Sequence, residues 1–231
     1  MPLIASYMLP LLMLAHFPQD TAKKGKIIYV YDPLCGWCYG FSPVIQQLRE
    51  THGADFEFEV ISGGMVTGNR VRPFREMAEY ISQAYPRLNA MTGARFSDTF
   101  LNGLLWDSTA MLNSMPGSVA LSVFKSIRPQ EAVAFAGALQ TSLYQGANAP
   151  EQWDQYAEIA RRFGLDGEDF LVKMRDPASA QMAQADFRRA EQLGVSGFPA
   201  VLLEKPDGQI VPLSNGWVPY SELVEKLLRE N

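Results

Sequence analysis

The chain has 231 residues, 47% of them hydrophobic and 19% charged, and a formal net charge of −5. This balance belongs to a folded globular chain and argues against disorder. The negative charge and scattered Lys and Arg argue against nucleic acid as a partner, which needs clustered cations, and no run reaches the ~18 apolar residues that span a bilayer.

In chain order, residues 1–25 are expected to form an N-terminal extension. Met1 to Phe17 are mostly apolar, as in a secretory signal peptide. Against that reading, the first basic residue is Lys23, Pro10 interrupts the run and no small-x-small cleavage site stands out. A cytoplasmic chain is the expectation; export would follow if residues 1–22 act as a signal peptide.

Residues 26–31, Lys-Ile-Ile-Tyr-Val-Tyr, predict a buried strand that Asp32-Pro33 breaks. A helix follows from Trp37, with Cys38, Phe41, Ile45 and Leu48 on one face. It should end near His52-Gly53, with Gly53 as a left-handed cap. Residues 55–61 alternate as a strand with Phe56, Phe58 and Val60 inward, so the first unit is βαβ with a parallel pair. After Ser62-Gly63-Gly64 the period becomes helical. Stripes run through Phe74 to Tyr85, Val119 to Phe124, Ala132 to Leu143 and Trp153 to Phe163. Their aromatics and methionines sit at helix spacing and read as core, not as a cofactor box. Pro150 and Pro177 suit first helical turns, and Arg161-Arg162 and Arg188-Arg189 read as solvated faces. Pro199 to Glu204 and Ile210 to Leu213 then predict a hairpin around a two-residue Asp207-Gly208 turn, with Pro212 marking an edge strand. A final helix carries Tyr220, Leu223, Val224, Leu227 and Leu228 as its apolar stripe and a Glu222–Lys226 pair outside. The order is therefore βαβ, a helical block, then ββα.

The only two cysteines stand in Cys35-Gly36-Trp37-Cys38. A disulfide-stapled scaffold would have more. Zinc takes about four ligands, and His16 and His52 lack finger-like spacing, so no metal is expected. Thiols at i and i+3 on the first turn of a helix can close a small ring disulfide. Cys35, at the helix N-terminus, is expected to be exposed and faced by unpaired N–H groups that favour a thiolate. Cys38, one turn in, is expected to be shielded. Cys35 is then the nucleophile and Cys38 the resolving thiol, and that redox pair is the only cofactor expected. Upstream of the hairpin, Gly197-Phe198-Pro199 invites a cis peptide bond at Pro199.

Asp32-Pro33-Leu34-Cys35-Gly36-Trp37-Cys38-Tyr39-Gly40-Phe41, together with Gly197-Phe198-Pro199, resembles the DsbA-like branch of the thioredoxin superfamily, closest to its FrnE-like oxidoreductases. The resemblance implies an α/β thioredoxin fold made of residues 26–63 and 194–231, with an all-helical domain, 64–193, inserted between the halves. It implies that Cys35 and Cys38 shuttle a disulfide and that cis-Pro199 lies against them, helping to hold an extended substrate. Partners would be thiol- or disulfide-bearing proteins or small molecules, plus a redox partner. Two departures stand out: DsbA is similar at Cys-Pro-His-Cys, whereas Gly36-Trp37 supplies no cation, and Tyr29 stands where DsbA places an acid. Asp32 is the nearest carboxylate, either a proton relay or a turn residue. Trp37 is expected to cover the site. The alternatives are a glutathione-dependent transferase or isomerase of the kappa-class and 2-hydroxychromene-2-carboxylate type, which generally carries Ser at the catalytic position, and a peptide-binding or chaperone-like module with incidental thiols.

Overall fold

The computed structural model describes residues 25–230. Apart from Gly25, the expected N-terminal extension and its leader-like run lie outside the described residues. In chain order, β1 (Lys26–Tyr31), α1 (Gly36–His52) and β2 (Glu57–Ser62) come first. Next are β3 (Arg72–Pro73), α2 (Ala78–Thr92), α3 (Asp98–Asn102), β4 (Met111–Leu112), α4 (Met115–Ile127) and α5 (Ala132–Tyr144). Then follow α6 (Asp154–Arg162), α7 (Gly167–Arg175), α8 (Pro177–Gln192), β5 (Ala200–Glu204), β6 (Ile210–Asn215) and α9 (Tyr220–Glu230).

The main sheet has the strand order β2-β1-β5-β6, with β1 parallel to β2 and antiparallel to β5. β1 is buried on both faces because its alternating side chains serve two cores. Ile27, Tyr29 and Tyr31 meet Cys38, Phe41 and Ile45 of α1, while Ile28 and Val30 meet Ala190 of α8 and Leu202 of β5. That double cover explains an apolar run without polar alternation. β6 is the edge strand, as Pro212 requires, and a bulge separates its Ser214–Val201 and Pro212–Leu202 pairs.

The segment between β2 and β5 supplies helices α2 to α8, and its core is continuous with that of the sheet. Phe124 of α4 stacks on Phe135 of α5 at 3.9 Å, and both join the cluster that contains Tyr29 and Leu223. A second cluster gathers Phe74, Leu88, Phe96, Phe100 and Tyr144 around Leu34. Polar contacts also join the segment to β2. Lys125 Nζ reaches Asp186 at 2.6 Å and the Val60 carbonyl at 2.8 Å, and Arg189 reaches Glu59 at 2.7 Å.

Several expectations need correction. The inserted segment is not all helical, because β3 and β4 form a short antiparallel ladder, Arg72 opposite Leu112. Gly53 is right-handed, φ −69°: Asp55 and Phe56 N–H both bond the His52 carbonyl, and a Cβ there would lie 2.5 Å from the Arg49 carbonyl oxygen. Close approach, not a left-handed φ, is what requires glycine. The β5–β6 turn is a three-residue one, closed by Lys205 N–H on the Gln209 carbonyl, with Gly208 at φ 91°. Pro150 precedes α6 by a turn, and its carbonyl accepts from the Tyr156 hydroxyl at 2.9 Å. Arg161, Arg162 and Arg188 are exposed, as expected, whereas Arg189 is half-buried and paired with Glu59. Phe58 is only half-buried, under the Arg49 guanidinium, and Leu228 is 63% exposed, because α9 offers only Leu223 and Leu227 full cover.

Candidate active site

The carboxyl end of β1 delivers the chain into a turn at Asp32-Pro33-Leu34, which Cys35 N–H closes on the Asp32 carbonyl at 3.0 Å. Cys35 caps α1 with extended backbone, φ −83° and ψ 111°, and Cys38 lies on the buried face of the first turn. Both are free thiols. Cys38 is fully buried, as expected. Cys35 is not exposed as expected: only 6% of its surface is accessible. The Phe198 loop crowds it on one side, leaving it open only to a cleft. Burial first, and the neighbouring Cys35 second, push the Cys38 thiol well above the ordinary cysteine range.

Cys35 Sγ lies 3.6 Å from the Phe198 carbonyl oxygen, the longer contact that a sulfur donor makes. The Phe198–Pro199 bond is cis, and the Pro199 carbonyl accepts from Gly216 N–H at 2.8 Å, which ties the loop to the end of β6. The Phe198 ring is half-buried. It fills the space beside Gly63, where a Cβ would come within 2.0 Å of it. Phe198 therefore meets Cys35 through its backbone.

Asp32 is fully buried and accepts hydrogen bonds from three donors. One oxygen accepts from Leu34 N–H at 2.9 Å and the Ser114 hydroxyl at 2.8 Å, the other from Met65 N–H at 2.7 Å. Burial raises its pKa to about 6, and these hydrogen bonds hold it from rising further. Tyr29 and Tyr31 lie fully buried beside Cys38, and the Tyr31 hydroxyl has no hydrogen-bond partner. Burial above all pushes the Tyr29 phenol well above its usual value.

Residues with no local sequence signal hold this loop. Gln140 of α5 donates from Nε2 to the carbonyls of Asp32, at 3.2 Å, and Cys35, at 3.3 Å. One turn later the Tyr144 hydroxyl donates to the Leu34 carbonyl at 2.7 Å. α5 thus pins three carbonyls of the cysteine turn. Gly36 and Gly40 are spacing residues. A Cβ on Gly36 would press on Leu88 and Phe96 at 3.1 and 3.2 Å, and one on Gly40 would meet Thr92 at 2.7 Å. Trp37 is half-buried and lines the cleft next to Cys35. The structure thus brings Asp32, Cys35, Gly36, Trp37, Cys38, Phe198 and Pro199 together. No group of three or more potential metal ligands occurs among the described residues.

A family model described as thioredoxin matches residues 29–210. Among solved structures, a candidate protein disulfide isomerase from Nitrosomonas europaea superimposes with a TM-score of 0.79 at 25% identity, covering 90% of this chain and 99% of that one. The cytosolic disulfide reductase DsbM of Pseudomonas aeruginosa gives 0.74 at 27% identity over 89% and 100% of the two chains. Among curated proteins, the ClpXP adapter protein SpxH of Bacillus subtilis is 26% identical over 94% of this chain and 72% of its own length.

Proposed function

This chain belongs to the thioredoxin family, within its DsbA-like branch, and from that premise we propose that it is a thiol–disulfide oxidoreductase working through Cys35 and Cys38. The observation that carries the reading is the pairing of a helix-capping thiol with a buried thiol one turn on, beneath the Phe198 carbonyl. The Cys35 thiolate attacks one sulfur of a substrate disulfide, forming a mixed disulfide and releasing one thiol. Cys38 then loses its proton and attacks Cys35 sulfur. The second substrate thiol leaves with the electron pair, and Cys35 and Cys38 end as a disulfide. The reverse sequence oxidises a dithiol.

The environment orders these steps. Cys35 has the open approach and Cys38 does not. The negative charge of Cys35 is one of the causes that hold the Cys38 proton on. A mixed disulfide on Cys35 removes that charge, so Cys38 ionises more readily when it is needed. Asp32 orients the loop through the three hydrogen bonds that it accepts. Gly36 and Trp37 shape the approach, and the backbone at Phe198 and Pro199 forms the opposite wall. The substrates are thiol- or disulfide-bearing proteins or small molecules. The Pseudomonas reductase has also been solved with GSH, which supports a small thiol as one partner.

The test is reduction of a model disulfide by the purified chain with dithiothreitol as electron donor. Turnover is expected and should vanish in Cys35→Ser. Full turnover without Cys35 would refute the reading.

The likeness to SpxH, a protein named as an adapter, favours one second reading: a protein-binding module that presents a client. It is separated by Cys35→Ala with Cys38→Ala. An adapter that does not use the thiols keeps its binding in that variant.

A further inference from the structure

The cleft that opens on Cys35 has a composition the exchange chemistry alone does not need. It holds roughly 350 Å3, at the small end of small-molecule sites. Its walls are apolar, with Trp37, Ile81, Leu88 and Phe96 among them. Its only charged lining residues, among those described, are Arg70 and Arg72. In a chain of net charge −5 the cleft is thus locally cationic and lined by no carboxylate.

The two guanidiniums are anchored by backbone carbonyls and not ion-paired, although the charge of Arg70 is felt by the buried Asp32. Arg70 Nη2 donates to the Gly64 carbonyl at 2.8 Å, and Arg72 Nε donates to the Arg70 carbonyl at 3.0 Å. Each keeps further N–H donors, and neither forms an ion pair with a carboxylate among the described residues. Arg128, Arg161, Arg189 and Arg229 each form one. A guanidinium held through one nitrogen, with the rest of its fork free, suits a bidentate carboxylate.

We propose that the cleft selects a low-molecular-weight disulfide or thiol with an apolar body and a terminal carboxylate, its sulfur at Cys35 and its carboxylate on Arg70 and Arg72. This rests on the exchange reading above and adds the substrate class to it. The body lies along the apolar walls, where each buried methylene adds affinity. Glutathione is anionic but polar along its length, so it matches the rim better than the walls.

The test uses reduced full chain and single-turnover oxidation, in which the disulfide supplies the electron acceptor and needs no reductant. One disulfide bond in the probe is consumed, two probe thiols appear, and Cys35–Cys38 closes. The probes are bis(ω-carboxyalkyl) disulfides of increasing length, their matched terminal amides, oxidised glutathione and bis(2-hydroxyethyl) disulfide. The rate constant should rise about fourfold per methylene until the cleft is filled. At full length the acid should outrun its amide by about tenfold and outrun glutathione. In Arg70→Gln with Arg72→Gln the acid-to-amide ratio should fall towards one, and Arg70→Lys with Arg72→Lys should restore part of it. A flat length series, an acid-to-amide ratio near one in the parent chain, or a ratio indifferent to the arginines would overturn the substrate class. If bis(2-hydroxyethyl) disulfide also fails to oxidise the cysteines, the exchange reading itself falls. If it reacts and only the selectivity is missing, the exchange reading stands.

Discussion

At the scale of single residues, the two thiols are unequal because one is reachable and the other is not. Cys38 has no accessible surface and burial raises its pKa, so on the proposed reading it acts only on a sulfur already bonded to Cys35. Cys38→Ser should therefore accumulate a covalent Cys35–substrate adduct, seen by mass spectrometry without reductant, whereas Cys35→Ser should give none. An adduct on Cys38 in the Cys35→Ser chain would reverse the roles. Asp32 makes a second prediction. Its pKa is about 6 in the fold, against 3.8 for the ordinary group, so the folded state binds this proton more tightly than the unfolded one. The resulting stability is fully present below about pH 4, declines as pH rises through about 6, and is absent above that. The change is on the order of 3 kcal/mol. Denaturant titrations from pH 4 to 7 should show this decline in the parent chain and lose it in Asp32→Asn. An unchanged slope in the variant would assign the decline elsewhere.

At the scale of elements, α5 is the part that holds the reactive turn, through Gln140 and Tyr144. Tyr144 also stacks on Phe96 at 4.2 Å, and Phe96 on Tyr85 at 4.6 Å, so the clamp is itself braced by α2. Tyr144→Phe keeps the stack and removes one hydrogen bond to a buried carbonyl. It should cost about 1–3 kcal/mol in stability and slow exchange more than it weakens substrate binding. Equal rates in the variant would show that the Leu34 carbonyl needs no donor from α5.

At the scale of the whole molecule, the inserted segment and the sheet share one core. The cluster that holds Tyr29, Phe41 and Leu227 also holds Phe124, Phe135 and Phe170. Unfolding should therefore be a single transition, with near- and far-ultraviolet circular dichroism changing together. Lys125→Met removes the cation that pairs with Asp186 beneath β2 and should lower stability by about 3 kcal/mol without splitting the transition. Two separated transitions would mean that the two parts fold independently.

The frame was legible because its signals are local. A continuous apolar strand, Cys-x-x-Cys on a helix start, Phe198-Pro199 before a strand and Pro212 on an edge each carry their reason in neighbouring residues. α3 and α7 were missed: α3 is only Asp98–Asn102, and α7 packs only Phe170, Leu171 and Met174 into the core. The clamp was missed because Gln140 and Tyr144 meet the cysteine turn across more than a hundred positions. Nothing local marks Gly36 and Gly40 as the positions that the fold uses to admit α2. The burial of Cys35 arises the same way, from a loop and helices that no local pattern brings together.

On the proposed reading, Cys35 and Cys38 carry the electrons. Its most direct test is rapid quench of the reduced chain with a stoichiometric disulfide, followed by alkylation and mass analysis of the chain alongside thiol release. The predicted result is one Cys35–Cys38 disulfide formed for every two thiols released, passing through a mixed disulfide on Cys35. Release of thiols while both cysteines remain alkylatable, or no release while the chain stays folded, would contradict it.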